Sequence, residues 1–184
     1  MIRRASPFTP PSSPAFTLVE ILIVVIILAL LSAIILPQIS DSVKDSKLSA
    51  LMSNLMLIRK AIDRYQIDHS DWPGSARSSG GNCSNGGSAG IGAPNTAQAL
   101  AEQLSYYTNP EGQTCSTRDT SFKYGPYLRD QQIPANPLSG SNIVNISTNG
   151  ELGLKSARVD GLGGWLYDVE TGQFSVDDAA YNDW

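Results

Sequence analysis

The chain has 184 residues, 41% of them hydrophobic and 16% charged, and its one histidine and two cysteines leave little material for a metal centre or histidine-based nucleophilic catalysis. After residue 15 it carries 11 basic and 17 acidic groups, without the patch of lysine and arginine that phosphate binding needs. We therefore expect no enzyme, no catalytic, cofactor-binding or metal-ligating residue, no cofactor and no nucleic-acid partner.

The first predicted element is an apolar segment. Residues 16–36 contain one charged residue, Glu20. As a helix this run would be about 31 Å long, close to the roughly 30 Å thickness of the bilayer's hydrocarbon, so we expect one transmembrane helix. Arg3 and Arg4 precede it, which keeps the start of the chain in the cytoplasm and places the remainder outside. A cleaved secretory signal is the alternative, although its apolar region would normally be shorter.

Two residues of this segment are unusual in a simple membrane anchor. An unpaired carboxylate at Glu20 would be costly inside an apolar run, so a partner should neutralise it. Pro37 cannot donate a backbone hydrogen bond to the Ala33 carbonyl, which favours a kink or local melting of the helix. The alternatives are that Glu20 reaches the lipid headgroups and that Pro37 simply ends the span.

The run Ala15 to Glu20, with the sequence AFTLVE, precedes the long apolar helix and Pro37. This pattern resembles the class III signal and N-terminal helix of type IV pilins and type II secretion pseudopilins. The resemblance implies that prepilin peptidase cuts between Ala15 and Phe16 and that Phe16 is then N-methylated. It also implies assembly roles for Glu20 and Pro37, with the new amino group of Phe16 neutralising Glu20 of a neighbouring subunit. Ala15 departs from the family, which usually has glycine there.

An amphipathic helix is predicted next, because apolar residues recur at spacings of three and four through residues 48–65. It should end near residues 69–74, where a Pro-Gly pair breaks the pattern. His69 is expected to be a surface cap or dipole partner of this helix end rather than a ligand. The apolar positions are Leu48, Leu51, Met52, Leu55, Ile58, Ile62 and Tyr65.

The segment 74–92 is rich in glycine and serine and is predicted to be a loop, followed by a short helix over residues 96–106. The loop contains Cys83, and Cys115 lies beyond the short helix. In an oxidising compartment we expect a Cys83–Cys115 disulfide, which would contribute roughly 3–4 kcal/mol. Two unpaired thiols are the alternative.

Short strands are predicted for residues 141–147, 164–169 and 173–176, and a small antiparallel sheet packed on the amphipathic helix is the simplest arrangement. The segments 124–128 and 133–137, together with the strand at 164–168, resemble the C-terminal pattern of proteins related to the major type II secretion pseudopilin. Those pseudopilins bind calcium, but the acidic residues here show no ligand spacing and fit a solvated acidic tail better, so no metal ligand is assigned. They are Asp168, Glu170, Asp177, Asp178 and Asp183.

The predicted fold class is therefore α+β and pilin-like, with a long N-terminal helix, half transmembrane and half amphipathic, packed on a small antiparallel β-sheet. The expected domains are a removed leader (1–15), a transmembrane helix and assembly segment (16–38), an amphipathic stalk helix (39–70) and a globular head (71–184). The expected location is the inner membrane, crossed once, with the head in the periplasm.

The resemblance implies a structural subunit of a type IV pilus-like filament. A pseudopilin of a type II secretion system, acting in protein export across the outer membrane, is favoured. The expected partners are prepilin peptidase, other pilin or pseudopilin subunits of a homo- or hetero-oligomeric filament, the inner-membrane assembly platform and the membrane. The alternatives are a minor pilin of a type IV pilus, for adhesion, uptake or motility, and a monomeric membrane-anchored binding module.

Overall fold

A computed structural model describes residues 16–150, 164–178 and 180–181, with only the backbone described for residues 33–40. These residues belong to two compact units that divide between Lys44 and Asp45. The elements in chain order are α1 (Leu18–His69), α2 (Ala97–Ser105), β1 (Tyr107–Thr108), β2 (Thr114–Cys115), β3 (Val144–Ser147), β4 (Trp165–Asp168) and β5 (Phe174–Val176).

The helix α1 runs without a break through position 37, so it neither ends nor melts at Pro37. It ends where the sequence predicts, at His69. The next residue, Ser70, adopts a left-handed conformation with φ of 58° and donates its N–H to the Gln66 carbonyl at 2.8 Å. Such a residue closes the last turn of a helix, and the Trp72-Pro73-Gly74 segment then turns the chain away.

No helix within the described residues is long and apolar enough to cross a membrane. The predicted transmembrane helix is therefore wrong on the described residues. The single-pass inner-membrane location with a periplasmic head, which rested on that helix, is wrong with it.

The second unit has one hydrophobic core. Five predicted positions of α1 are buried, while Met52, also predicted on the apolar face, is 49% exposed. The buried α1 side chains share the core with α2 and with the aromatic residues of β4 and β5, and α2 lies against β3. The five predicted and buried positions are Leu51, Leu55, Ile58, Ile62 and Tyr65. Ala61 is buried beside them, and their partners include Leu100, Leu104, Trp165, Tyr167 and Phe174.

The described strands form two small sheets, not one. β1 pairs with β2 antiparallel, and a three-stranded sheet has the order β3-β4-β5. In this second sheet β3 runs parallel to β4, with Val144 opposite Trp165, while β4 and β5 are antiparallel, with Trp165 opposite Val176. The predicted fold class, with its single antiparallel sheet, is therefore wrong in the sheet as well as in the membrane helix. The pattern of apolar residues reports which face of a strand is buried, but not the direction of its neighbour.

Polar groups of the aromatic core residues are satisfied by loop backbone. The Trp165 indole donates to the Pro134 carbonyl at 2.9 Å, and the Tyr167 hydroxyl donates to the Pro73 carbonyl at 2.8 Å. A buried indole or phenol needs such a partner, so these bonds fix two proline-containing loops against β4.

Candidate functional site

The start of α1 is a capped helix N-terminus. The Thr17 hydroxyl oxygen accepts a hydrogen bond from the Glu20 N–H at 3.2 Å, and the Thr17 carbonyl accepts one from the Ile21 N–H at 3.4 Å. Thr17 is thus the N-cap, and Glu20 is the third residue of the helix. A carboxylate at this position is favoured by the partial positive charge of the helix N-terminus. Glu20 therefore has a local structural role at the position where an assembly role is predicted.

Around Glu20 the surface of α1 is apolar on every side. Every large hydrophobic residue from Leu18 to Leu31 is 47–82% exposed, and Phe16, just before the cap, is 75% exposed. The consecutive residues Val24 to Ile27 are among them, and successive helix positions point about 100° apart. This surface, which we name the apolar segment (residues 18–31), is therefore not a single stripe for one partner. Glu20 is its one charged residue.

Two other predicted processing and assembly residues are not tested by the geometry. Ala15, on the leader side of the predicted cleavage site, lies outside the described residues, and so does the side chain of Pro37. Phe16 lies within the description and is exposed. Its cleavage and N-methylation remain predictions.

The predicted disulfide is confirmed. Cys83 and Cys115 are bonded, with their Cα atoms 5.8 Å apart. Cys115 is the last residue of β2 and is buried, so the bond ties the glycine- and serine-rich loop to that strand. The loop also bridges β2 through its backbone, because the Gly90 N–H donates to the Thr114 carbonyl at 3.1 Å.

A buried carboxylate, Glu102, also holds this loop, and its role was not predicted from the sequence. Glu102 of α2 is 7% exposed, and its Oε2 accepts hydrogen bonds from the N–H groups of Ile91 and Gly92 at 3.0 and 3.1 Å and from the Ser78 hydroxyl. Its Oε1 accepts from the Gln98 amide at 2.6 Å. One feature of the sequence pointed to this role: Glu102 is the one charged residue of the short helix and lies between its apolar positions. The glycine-rich loop beside the helix supplies the backbone N–H donors.

His69 lies at the end of α1 against a carbonyl of the last turn, as predicted for a cap, but it is half-buried and not on the surface. Its ring stacks on Tyr65 with centroids 4.0 Å apart, and its two nitrogens lie 3.1 Å from the Tyr65 carbonyl and 3.0 Å from the Asn109 carbonyl. The residue therefore joins the end of α1 to the turn before β2.

The acidic residues near the C-terminus serve local structure where they are described. Asp168 Oδ1 accepts from the N–H groups of Glu170 and Thr171 at 2.9 and 3.0 Å, and Asp177 Oδ2 accepts from the Asn145 amide at 2.8 Å. Within the described part of the chain, no three His, Cys, Asp or Glu residues group as a metal site would need.

Comparison with protein-family models, with curated proteins and with solved structures finds no match to this chain. The resemblance of residues 15–20 and 37 to the pilin family therefore remains a prediction from those residues.

Proposed function

We propose that this chain is a structural subunit of a filament related to type IV pili, held together by the apolar segments of neighbouring copies. The observation that carries the proposal is the combination, at one helix end, of a carboxylate, Glu20, in the first turn of a capped helix and apolar surface exposed on all sides of that helix. The finer proposal is a type II secretion pseudopilin that acts in protein export across the outer membrane. It is supported by the resemblance of residues 124–128, 133–137 and 164–168 to proteins related to the major pseudopilin.

The distribution of the exposed side chains supports contacts with several neighbours. A helix that docks on one partner needs one apolar stripe, whereas Val24 to Ile27 cover the whole circumference of α1. Burying one aliphatic side chain of this size contributes about 1.5–3 kcal/mol. A bundle of copies would bury many of them at once, which gives a large driving force for assembly.

Glu20 would give such a bundle its register. A carboxylate removed from water without a partner is strongly unfavourable, so copies that leave Glu20 unpaired would be disfavoured. Cleavage before Phe16 would create an ammonium group at the same helix end, four residues before Glu20, whose N–H donates the capping bond to Thr17. Pairing this ammonium with Glu20 of a neighbour would neutralise both charges and fix the offset between the two helices.

The test expresses the full chain with prepilin peptidase and the assembly proteins of a type II secretion system. We expect the wild-type chain to begin at methylated Phe16 by intact mass and to form filaments visible by electron microscopy. Glu20→Gln keeps the side-chain shape and removes the charge, so it should be cut and methylated normally but form few or no filaments. Glu111→Gln, which removes an exposed charge from the second unit, is the matched control and should assemble normally.

A chain that still begins at Met1, or filaments of Glu20→Gln as abundant as those of the wild type, would contradict the proposal. The finer proposal has its own test in the source organism. Deletion of the gene should abolish secretion of extracellular proteins while leaving surface fibres intact. Loss of fibres with normal secretion would instead identify a pilus subunit.

A further inference from the structure

A groove of about 420 Å³ lies between α2 and the segments 131–133 and 142–144, in the second unit. It is separate from the apolar segment, and no function above uses it. Its rim carries four exposed carboxamides and its floor is aliphatic. The rim residues are Gln98, Gln131, Gln132 and Asn142, and the floor is formed by Ala97, Ala101, Ile133 and Val144.

The lining selects against a charged ligand. No lysine or arginine lines the groove, and Glu102 is its one charged lining residue. The Glu102 carboxylate already accepts hydrogen bonds from the loop backbone, Ser78 and Gln98. A ligand cation would have to compete with those bonds, and a ligand anion would find no counter-charge. The rim amides, by contrast, can both donate to and accept from neutral polar groups.

The groove also reaches the open edge of a sheet. The Trp165 N–H donates to the Ile143 carbonyl at 2.8 Å and the Val169 N–H to the Ser147 carbonyl at 3.1 Å, so alternate residues of β3 direct their backbone towards β4. The backbone of Val144, at the groove floor, therefore faces away from β4. No described strand pairs with β3 on that side. A strand edge without a partner strand can take up an additional extended chain through main-chain hydrogen bonds.

We propose that this groove binds an extended, uncharged peptide segment that adds to the edge of β3 and places an aliphatic side chain on the floor formed by Ala97 and Ala101. The peptide backbone would supply the hydrogen-bonding groups that the rim amides can use. Ile143, which is 53% exposed beside the groove, would cover the bound side chain. The proposal does not depend on the filament function.

The probe is the capped peptide acetyl-Thr-Val-Thr-photoleucine-Thr-Val-Thr-amide, added to the full chain in mild detergent. Ultraviolet cross-links are then mapped by mass spectrometry, and affinity is measured by calorimetry. We expect cross-links within residues 97–106 or 131–144. Ala101→Trp fills the floor and should weaken binding about tenfold or more, whereas Ala93→Trp, at an exposed alanine outside the lining, should bind normally.

A second variant, Ile143→Ser, changes only an exposed side chain, so the proposal can still be tested if Ala101→Trp does not fold. We expect Ile143→Ser to weaken binding about fivefold. Circular dichroism and an intact disulfide confirm the fold of each variant. Absence of binding by the wild-type chain, cross-links outside the groove, or equal binding by Ile143→Ser and the wild type would overturn the proposal. So would equal binding of a peptide whose central residue is flanked by two lysines.

Discussion

Replacing Glu102 by glutamine should release the glycine- and serine-rich loop from α2. Glutamine has one acceptor oxygen where glutamate has two. If that oxygen keeps the bonds from Ile91, Gly92 and Ser78, the new amide NH₂ faces the amide of Gln98, 2.6 Å from the present Oε1. If the side chain turns over, the NH₂ instead faces two backbone N–H donors. In the first arrangement the Gln98 amide can flip and offer its oxygen, so the loss is the negative charge of the acceptor that serves Ile91, Gly92 and Ser78. In the second arrangement donors point at one another.

The expected loss of stability in Glu102→Gln follows from the burial of this side chain. Glu102 is 7% exposed, so water has little access to replace the lost acceptor. A buried donor without an acceptor costs about 1–3 kcal/mol, and charge-assisted bonds lie at the upper end. We therefore expect the free energy of unfolding to fall by about 2–4 kcal/mol. For a chain of this size that corresponds to a Tm about 5–15 °C lower.

Thermal unfolding of the full chain, followed by circular dichroism at neutral pH, measures this change. Glu111→Gln removes the same charge from an exposed site and should change stability by less than about 0.5 kcal/mol. A Tm for Glu102→Gln within about 1 °C of the control would refute the reasoning, because it would mean that the loop does not depend on the carboxylate.

The same pair of proteins has a predicted pH dependence. Burial by itself raises the pKa of Glu102, but the hydrogen bonds from Ser78, Gln98, Gly92 and Ile91 together lower this pKa below its ordinary value. Because the folded pKa lies below the unfolded one, the carboxylate stabilises the fold above the unfolded pKa and loses that effect as the pH falls through the folded pKa. The difference in unfolding free energy between wild type and Glu102→Gln should thus be constant near neutral pH and shrink below about pH 4. A difference that grows on acidification would contradict this.

Two further predictions concern the second unit, both measured by denaturant unfolding. Replacing both Cys83 and Cys115 by alanine opens a loop with a sequence separation of 32 and should cost about 3–4 kcal/mol; unchanged stability would show that the loop is held by other contacts. Gly172→Ala and Gly86→Ala both place a Cβ at positive φ, 70° and 71°. At Gly172 this Cβ would clash with the Trp72 ring, whereas at Gly86 nothing lies within 4 Å. Gly86→Ala should cost about 1 kcal/mol and Gly172→Ala at least 2 kcal/mol more, and equal losses would exclude the Trp72 clash as the cause.

Local sequence rules located several elements well. The spacing of Leu51, Leu55, Ile58, Ile62 and Tyr65 identified the buried face of α1, because a helix turns every 3.6 residues and one face repeats at three and four. Its end at His69 followed from the Pro-Gly pair. The short helix α2 lies within its predicted range, capped by Thr96, whose hydroxyl accepts from the Ala99 N–H at 3.1 Å. Each of these depends on neighbours within a few residues.

The sequence could not decide how distant segments meet. The direction of β3 relative to β4 was predicted wrongly, since alternation of side chains is the same in parallel and antiparallel strands. The predicted membrane span also failed on the described residues, although its composition was apolar.

By itself, then, the sequence determined the buried face and end of α1, the position of α2, the approximate positions of the three strands, and the presence of Glu20 in an apolar helix start. The sequence also predicted the Cys83–Cys115 disulfide, which the structure confirms. Only the tertiary structure decided the mixed sheet, the role of Glu102 and the groove beside β3. The physical reason is that helix periodicity and capping are fixed by contacts between near neighbours in the chain. A hydrogen-bonding partner 11 or 14 residues away, such as Ile91 for Glu102 or Gly92 for Ser78, is selected by the packing of the whole unit.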